Sequence, residues 1–263
     1  MKIYISNNID ARTGKGFRRD KDNALAIRVN LSTELAEISK AALEAGATDV
    51  CLQDKGVGDG LIYDLFPKEC RFIRGRDGDI FGATPGLNGE KFDGIFVTRA
   101  SFPSDSNNDP LYENSVIGIE SVKINEERAG IFAINLYNAG YLGVPVGLVS
   151  GDKGACDFAE DIAKGVVTVP VSKSSGGAEF HASPLKTAEL LRNAVKEIIT
   201  GGTLKGASVR MPQSFEVSVR YESYASAYRN SFFPGAIQVA PGKIRFKSTN
   251  YMDVLRFLLF CVR

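Results

Sequence analysis

The sequence predicts an α/β protein: a mainly parallel sheet covered by helices on both faces, with a smaller C-terminal α+β portion. Three observations predict it. The chain opens on a short apolar run, Met1–Ser6 (MKIYIS), followed at once by the polar, Gly-containing stretch Asn7–Gly16 (NNIDARTGKG). Apolar runs of strand length then alternate with segments of helical period, the order that builds a parallel sheet from βαβ units. After Val171 the pattern shifts to a period-two strand, a hairpin and a closing helix. A boundary there separates an α/β domain over 1–171, which carries the cleft, from an α+β domain over 172–263, which completes the cleft or forms an oligomer interface. A first strand of this kind is central in open α/β sheets, and ligands bind at the carboxyl ends of the strands.

Each element has a local reason. Lys2–Ser6 is the first strand. Asn30–Gly46 is a helix: Ser32 or Thr33 can cap it, Leu35, Ile38, Ala42 and Leu43 fall at helical spacing, and Gly46 suits the residue after its end. Asp49–Leu52 is a buried strand with Gln53–Gly60 as its loop, and Leu61–Phe66 is a short helical turn stopped by Pro67. Strand Cys70–Arg74, the irregular Asp77–Gly89 and strand Gly94–Thr98 follow. Arg99–Leu111 holds two prolines in a polar setting, the composition of a long binding loop. Val116–Asn125 alternates as a strand, Glu126–Ala129 turns, and Ile131–Ala139 is a helix with Gly140 near its end. Strand Val144–Ser150, the loop Gly151–Ala155, helix Cys156–Ala163 and strand Val166–Val171 complete the first portion.

Ser172–Ala178 reads as a polar loop. Ser183–Ile199 is a long helix, capped by Ser183 with Pro184 in its first turn, and Leu190, Leu191, Ala194, Val195 and Ile198 make its apolar face. Phe215–Tyr221 alternates as a half-solvated strand and Tyr224–Phe232 is helical. Ala236–Val239 and Lys243–Phe246 pair across a Pro241–Gly242 turn, and Asn250–Val262 closes the chain as an amphipathic helix with Met252, Leu255, Leu258, Leu259 and Val262 inward.

Composition bounds the function. With 263 residues the chain can bury a large core, and a formal net charge of +1 offers no global field for nucleic acid or an anionic membrane. No apolar run approaches the roughly 18 residues of a membrane span. Asn7, Asn8 and Asp10 interrupt any leader-like pattern at the start. Cys51, Cys70, Cys156 and Cys261 are scattered, so a reduced, cytoplasmic setting is expected, with Cys51 and Cys261 as core residues. His181 is the single histidine, which rules out a His-rich metal site.

The carboxyl-end loops would gather Asn7, Asn8, Asp10, Asp54, Lys55, Arg99, Ser101 and Glu113 at one mouth. Singly, each also fits a solvated loop residue; the grouping is what points to a ligand. The glycines of GKGFRRDK and GVGDG match neither phosphate-binding spacing and fit tight turns. Cys156 sits at a helix start, which lowers a thiol pKa, but it has no histidine partner and also reads as a buried structural residue.

The order and spacing of several segments carry a resemblance. They are MKIYIS, LAEISKAALEAGATDVCLQD, FDGIFV, VKINEERAGIFAINLYNAGYLGVPVGLVSGDK, FHASPLKTAELL, FEVSVRYESYASAYRNSFFPG and YMDVLRFLLF. Together they resemble the DppA-type D-aminopeptidases, zinc metallopeptidases that remove N-terminal D-amino acids from short peptides. The resemblance runs nearly end to end and implies an α/β fold, a small peptide or amino-acid-like ligand, and a homo-oligomer, in the family a ring-like decamer. The aromatic stretch Tyr221–Phe233 fits an interface or a core helix.

The departures fall on the chemistry. The family's Ser-x-Asp-x-Glu-Gly is Ser6-Asn7-Asn8-Ile9-Asp10-Ala11 here; its Asn-Asp-Ser-His is Gln53-Asp54-Lys55-Gly56; its Gly-Tyr-His is Arg99-Ala100-Ser101. Ile131 stands where a ligand Glu is expected, and Glu113 falls near the family's catalytic His. The matched ligand positions thus read Asn8, Asp10, Gly56, Ser101 and Ile131, so no zinc or other cofactor is expected. Three readings follow. The first is a binding or regulatory module. The second is a metal-independent amide or peptide hydrolase, with Asp10 or Glu113 as base, Lys55 or Arg99 stabilising an oxyanion, and Asp54 and Ser101 in the same set. The third keeps an aminopeptidase role with a different, weaker metal site from Asp10, Asp54 and Glu113, carboxylates that suit Mg²⁺ or Mn²⁺ better than zinc.

Overall fold

The computed structural model describes residues 1–7, 21–54, 60–74, 79–101, 118–175 and 178–262. The apolar opening forms β1 (Lys2–Asn7), and α1 (Lys21–Glu44) leads to β2 (Asp49–Asp54). After a 3-10 turn at Tyr63–Leu65 come β3 (Cys70–Arg74) and β4 (Gly94–Ala100). A hairpin of β5 (Ile119–Ile124) and β6 (Glu127–Arg128) turns through Asn125 and Glu126, both at positive φ, and feeds α2 (Ile131–Leu142). Then follow β7 (Val146–Asp152), α3 (Lys153–Ile162), β8 (Ala163–Lys164), β9 (Val167–Ser175) and β10 (Ala178–His181). The remainder is α4 (Pro184–Thr200), β11 (Ser208–Val209), β12 (Phe215–Tyr221), α5 (Tyr224–Asn230), β13 (Ala236–Ala240), β14 (Lys243–Ser248) and α6 (Tyr251–Cys261).

Among the described residues, one sheet has the order β10-β9-β7-β4-β1-β2-β3 and a second has the order β13-β14-β12-β5-β6. The first is parallel throughout except for β10, so β1 lies inside it as the opening of the sequence implies. The second is antiparallel and draws β5 and β6 from the middle of the chain to join the C-terminal strands. A strand's period of two gives the parallel sheet two faces. Ile3 and Ile5 pack with Leu35 and Ile38 of α1 and Leu191 and Ile198 of α4. Tyr4, Ile95 and Val97 pack on the other side with Phe132 and Leu136 of α2. That second core continues through Tyr251 and Phe257 of α6 to Val217, Val219 and Ile244 of the antiparallel sheet.

Three local expectations are corrected. α1 begins at Lys21, not Asn30, so Ser32 is no cap; it is buried mid-helix, and its Oγ accepts the Ile62 N–H at 3.0 Å. Ser172–Ala178 is no loop: its ends pair in the β9–β10 hairpin, where Lys173 lies over the Phe180 ring at 5.7 Å. Backbone pairing at a sheet edge needs no apolar side chains, so polar composition hid it. The Ile131 helix runs past Gly140 to end at Gly143, whose φ of 68° is the left-handed cap.

Gly140 is inside α2 because nothing larger fits. A Cβ there would lie 2.8 Å from Met211 Sδ and 2.9 Å from Val209 Cβ. Gly140→Ala should gain about 1 kcal/mol of helix propensity and lose about 1–3 kcal/mol to overpacking. The expected result is a lower urea midpoint at unchanged slope.

Candidate functional site

Strands that are apolar along their length turn polar where they end. Ser6 and Asn7 of β1, Gln53 and Asp54 of β2, Thr98 of β4 and Ser150 and Asp152 of β7 are all buried at the carboxyl edge of the parallel sheet. Buried polar groups cost free energy unless bonded, so their partners define the site.

On the α2 side the account closes. Asn135 Nδ2 donates to Ser6 Oγ at 3.1 Å, and Ser6 Oγ donates to Gln53 Oε1 at 2.8 Å. Gln53 Nε2 donates to the Ala83 carbonyl at 3.2 Å, and from the α1 face Asn7 Nδ2 donates to the backbone carbonyl of Gln53. One turn along α2, Asn138 Nδ2 donates to Thr84 Oγ1 at 3.0 Å and its Oδ1 accepts from Tyr251 OH at 2.9 Å.

On the α1 side charges are held in place. Asp54, 2% exposed, accepts from Tyr63 OH at 2.6 Å and from Arg74 Nε at 2.9 Å. Burial, and then the Asp54 carboxylate, push the Tyr63 hydroxyl above its ordinary pKa. Arg99 donates from Nη2 to Glu34 Oε2 of α1 at 3.2 Å. Arg99 has φ +52°, a left-handed conformation that costs a side-chain-bearing residue about 1–2 kcal/mol. Beside it Gly151 lets β7 pass close to β4, since a Cβ there would collide with the Ala100 carbonyl oxygen. Among the described residues, Asn7 Oδ1, Thr98 Oγ1 and Arg99 Nε are buried without a hydrogen-bond partner.

Of the site residues expected from sequence, Arg99 and Ser101 lie at the end of β4, Ser101 half-buried, and Asp54 ends β2. Asn8, Asp10, Lys55 and Glu113 lie outside the described residues, as does Gly56. Among the described residues, no three His, Cys, Asp or Glu side chains gather closely enough to hold a metal ion. Sequence reasoning passed over Glu34, Tyr63, Arg74 and Thr98. Glu34 left a signal: it lies three residues after Leu31 and four before Ile38, on the face of α1 that is otherwise apolar. His181 ends the outer strand β10, away from β1.

The expected Gly151–Ala155 loop is not there: β7 runs through Asp152 and α3 starts at Lys153, so Cys156 is the fourth residue of the helix, and it is not activated. Burial pushes its thiol up to about 12, helped by the nearby Asp152 carboxylate that caps α3 by accepting the Ala155 N–H at 2.7 Å. Burial likewise raises Cys51 and Cys261 to about 11.

A parallel sheet with a polar rim at the carboxyl ends of its central strands makes this an open α/β protein, and that edge is where such sheets place their ligands. The family model for D-aminopeptidases, peptidase family M55, matches residues 1–260, and the chain belongs to that family. A D-aminopeptidase of Bacillus subtilis (strain 168) is 24% identical over 273 residues, covering 98% of this chain and 96% of the relative. The solved structure of the Zn-dependent D-aminopeptidase DppA from Bacillus subtilis, a self-compartmentalizing protease, matches with a TM-score of 0.81 and 22% identity. That match covers 99% of this chain and 96% of that one, and it shows the shared fold. Family and fold class are thus as the sequence implied.

The raised thiols make a prediction. With pKa values of about 11 or more, the thiolate fraction near pH 8 is about 0.1% or less. Native Cys51, Cys156 and Cys261 should alkylate at least ~100-fold more slowly than a free thiol, and react fully in denaturant. The folded state holds these protons more tightly, so their stabilising contribution is complete below about pH 8.5 and lost as pH rises through about 11. Peptide mass mapping after timed iodoacetamide labelling checks the first point, and urea melts across that pH range the second.

Proposed function

We propose that this chain is a D-aminopeptidase-family protein with a degenerate metal site, whose cleft retains binding of a small peptide or amino-acid-like ligand. The observation that carries this is the donor set. Ile131, which has no donor atom, is the first residue of α2, one turn before the Asn135 that bonds Ser6. Gly56 and Ser101 stand at the other matched positions where the family motifs have histidines. Zinc takes deprotonated N, S or O donors in a tight tetrahedral shell, and this set does not fit it. Asp54 is no substitute, because Arg74 and Tyr63 already engage its carboxylate; this weighs against a carboxylate site for Mg²⁺ or Mn²⁺ from Asp10, Asp54 and Glu113.

A second reading is favoured by the cation and hydroxyl at the end of β4. A metal-independent amide or peptide hydrolase would use Asp10 or Glu113 as general base and Lys55 or Arg99 to stabilise a developing oxyanion, beside Ser101. No cofactor enters either reading.

Elemental analysis of the native protein, with a panel of D- and L-alanyl peptides, amides and esters, separates the readings. The expected result is binding of alanyl peptides without stoichiometric metal. Stoichiometric metal with metal-dependent cleavage would sink the proposal. Metal-free turnover that falls about 100-fold or more in Lys55→Ala and Glu113→Ala would instead establish the hydrolase.

We further propose that the chain assembles with itself, as a ring of the kind the family forms, and works in the reducing cytoplasm. A self-compartmentalizing relative supports the first point. So do the exposed aromatic side chains of Tyr224, Tyr228 and Phe232, at 71%, 60% and 70% exposure, the last two in ring contact at 5.1 Å. The four free cysteines fit the second. In the described residues no helix is long and apolar enough to cross a membrane, and neither a membrane nor a nucleic acid is proposed as a partner. Sedimentation should give one large species, and Tyr228→Asp should shift it towards smaller ones; a monomeric wild-type profile would rule out the assembly.

A further inference from the structure

Four buried side-chain polar atoms have no hydrogen-bond partner among the described residues: Asn7 Oδ1, Thr98 Oγ1, Arg99 Nε and Arg245 Nε. All but Arg245 Nε fall in one place. Asn7 and Thr98 are register partners on the adjacent parallel strands β1 and β4, which run about 4.8 Å apart. Both lie on the face that Ile3, Ile5 and Phe96 share with α1, and both are 0% exposed. Arg99 is the next residue, and its guanidinium is drawn towards α1 by Glu34. Native proteins rarely leave such atoms unpaired, and a cluster of them calls for a partner.

The chemistry of the cluster selects that partner. Asn7 Oδ1 is an acceptor only, Thr98 Oγ1 can accept, and Arg99 Nε is a cationic donor. A simple anion would bond Arg99 but face the oxygens of Asn7 and Glu34. A simple amine would suit those oxygens but face the guanidinium. A ligand with an ammonium and a carboxylate a bond or two apart satisfies both ends. We propose that the paired ends of β1 and β4 form a recognition site for a free α-amino acid, its ammonium on Asn7 Oδ1 and Thr98 Oγ1 and its carboxylate on Arg99 Nε. The proposal rests on the ligand-binding reading above and narrows it, because an Arg that takes the α-carboxylate needs that carboxylate free rather than joined in a peptide bond. The Glu34 bond and the left-handed backbone of Arg99 are then what aim the guanidinium.

The test is isothermal titration of the full chain with free amino acids from glycine to phenylalanine in D and L forms. The tightest binder is then repeated as its N-acetyl and C-amide derivatives. Removing either charge should weaken binding about tenfold or more. Thr98→Val should weaken the free amino acid and shrink the gap to its N-acetyl form. Arg99→Gln should shrink the gap to the C-amide. If Glu34 left unpaired prevents folding, the Arg99→Gln, Glu34→Gln double variant takes its place. Three outcomes overturn the proposal while leaving the cleft reading intact: wild type that binds an alanyl dipeptide but no free amino acid, capped and free forms that bind alike, or variants that leave both gaps unchanged. In those cases the cluster holds an ordered water only. Binding of neither amino acids nor alanyl dipeptides would overturn both.

Discussion

The arrangement rests on the buried hydrogen bonds that α2 makes with the parallel sheet on one side and with α6 on the other. Asn135 reaches Ser6 and, through it, Gln53; Asn138 reaches Thr84 and Tyr251. These residues are all buried, so each bond left unmade would cost about 1–3 kcal/mol. They can all be made only when β1, β2, the segment around Thr84, α2 and α6 dock together. The interaction thus does more than add stability. It fixes where α2 begins relative to the carboxyl edge of the sheet, and it ties the antiparallel sheet to the parallel one through α6. The apolar packing of Phe132, Leu136 and Val217 would tolerate small slides; the directional bonds would not.

The two faces of the carboxyl edge are built to different standards. The α2 side is satisfied and neutral. The α1 side carries the ion pairs Arg74–Asp54 and Arg99–Glu34, a left-handed arginine and unpartnered oxygens. Ion pairs in such surroundings add little net stability, since desolvation offsets most of the attraction. A positive φ at Arg99 subtracts about 1–2 kcal/mol more. Features that cost stability at the edge where open sheets bind ligands are best understood as positioning. The side that holds the molecule together and the side that holds polar groups ready are back to back across the same strands.

Much of this was legible in the sequence wherever the governing rule is local. The strands Cys70–Arg74 and Phe215–Tyr221 end where the residue pattern ends, and α4 starts at the Ser183 cap and Pro184 as their chemistry requires. The misses share a cause. Ser32 carries the chemistry of a cap, but its hydroxyl is used by Ile62 thirty residues away in the chain. The β9–β10 hairpin is polar because it lies at an edge. β5 alternates as a strand should, yet nothing local says that it pairs with β12. At the site, Arg99 was legible as a residue out of place in a family motif, and its backbone conformation was not, because a positive φ is invisible at a residue other than Gly. Glu34 was legible only to a reader who asked why a carboxylate sits on an apolar helix face.

The pairing of Arg99 with Glu34 also decides which argument against zinc carries weight. Alone, a guanidinium about 5 Å from a divalent ion would repel it by roughly 7 kcal/mol at an effective dielectric of about 20. Glu34 Oε2 lies 3.2 Å from Arg99 Nη2, so the pair is close to neutral at a distance and most of that repulsion cancels. Charge is therefore the weaker obstacle. On the proposed reading, what remains is coordination: the side chains of Gly56 and Ile131 bring no donor atom, and no neighbouring charge can replace a missing donor. By the same reasoning, restoring one acidic or imidazole side chain would not rebuild the centre, because a tetrahedral shell fails when two of its corners are empty. The near-neutral pair also fits the proposed dipolar ligand better than an ion of either sign: Arg99 Nε still offers a donor, and Asn7 Oδ1 and Thr98 Oγ1 offer acceptors.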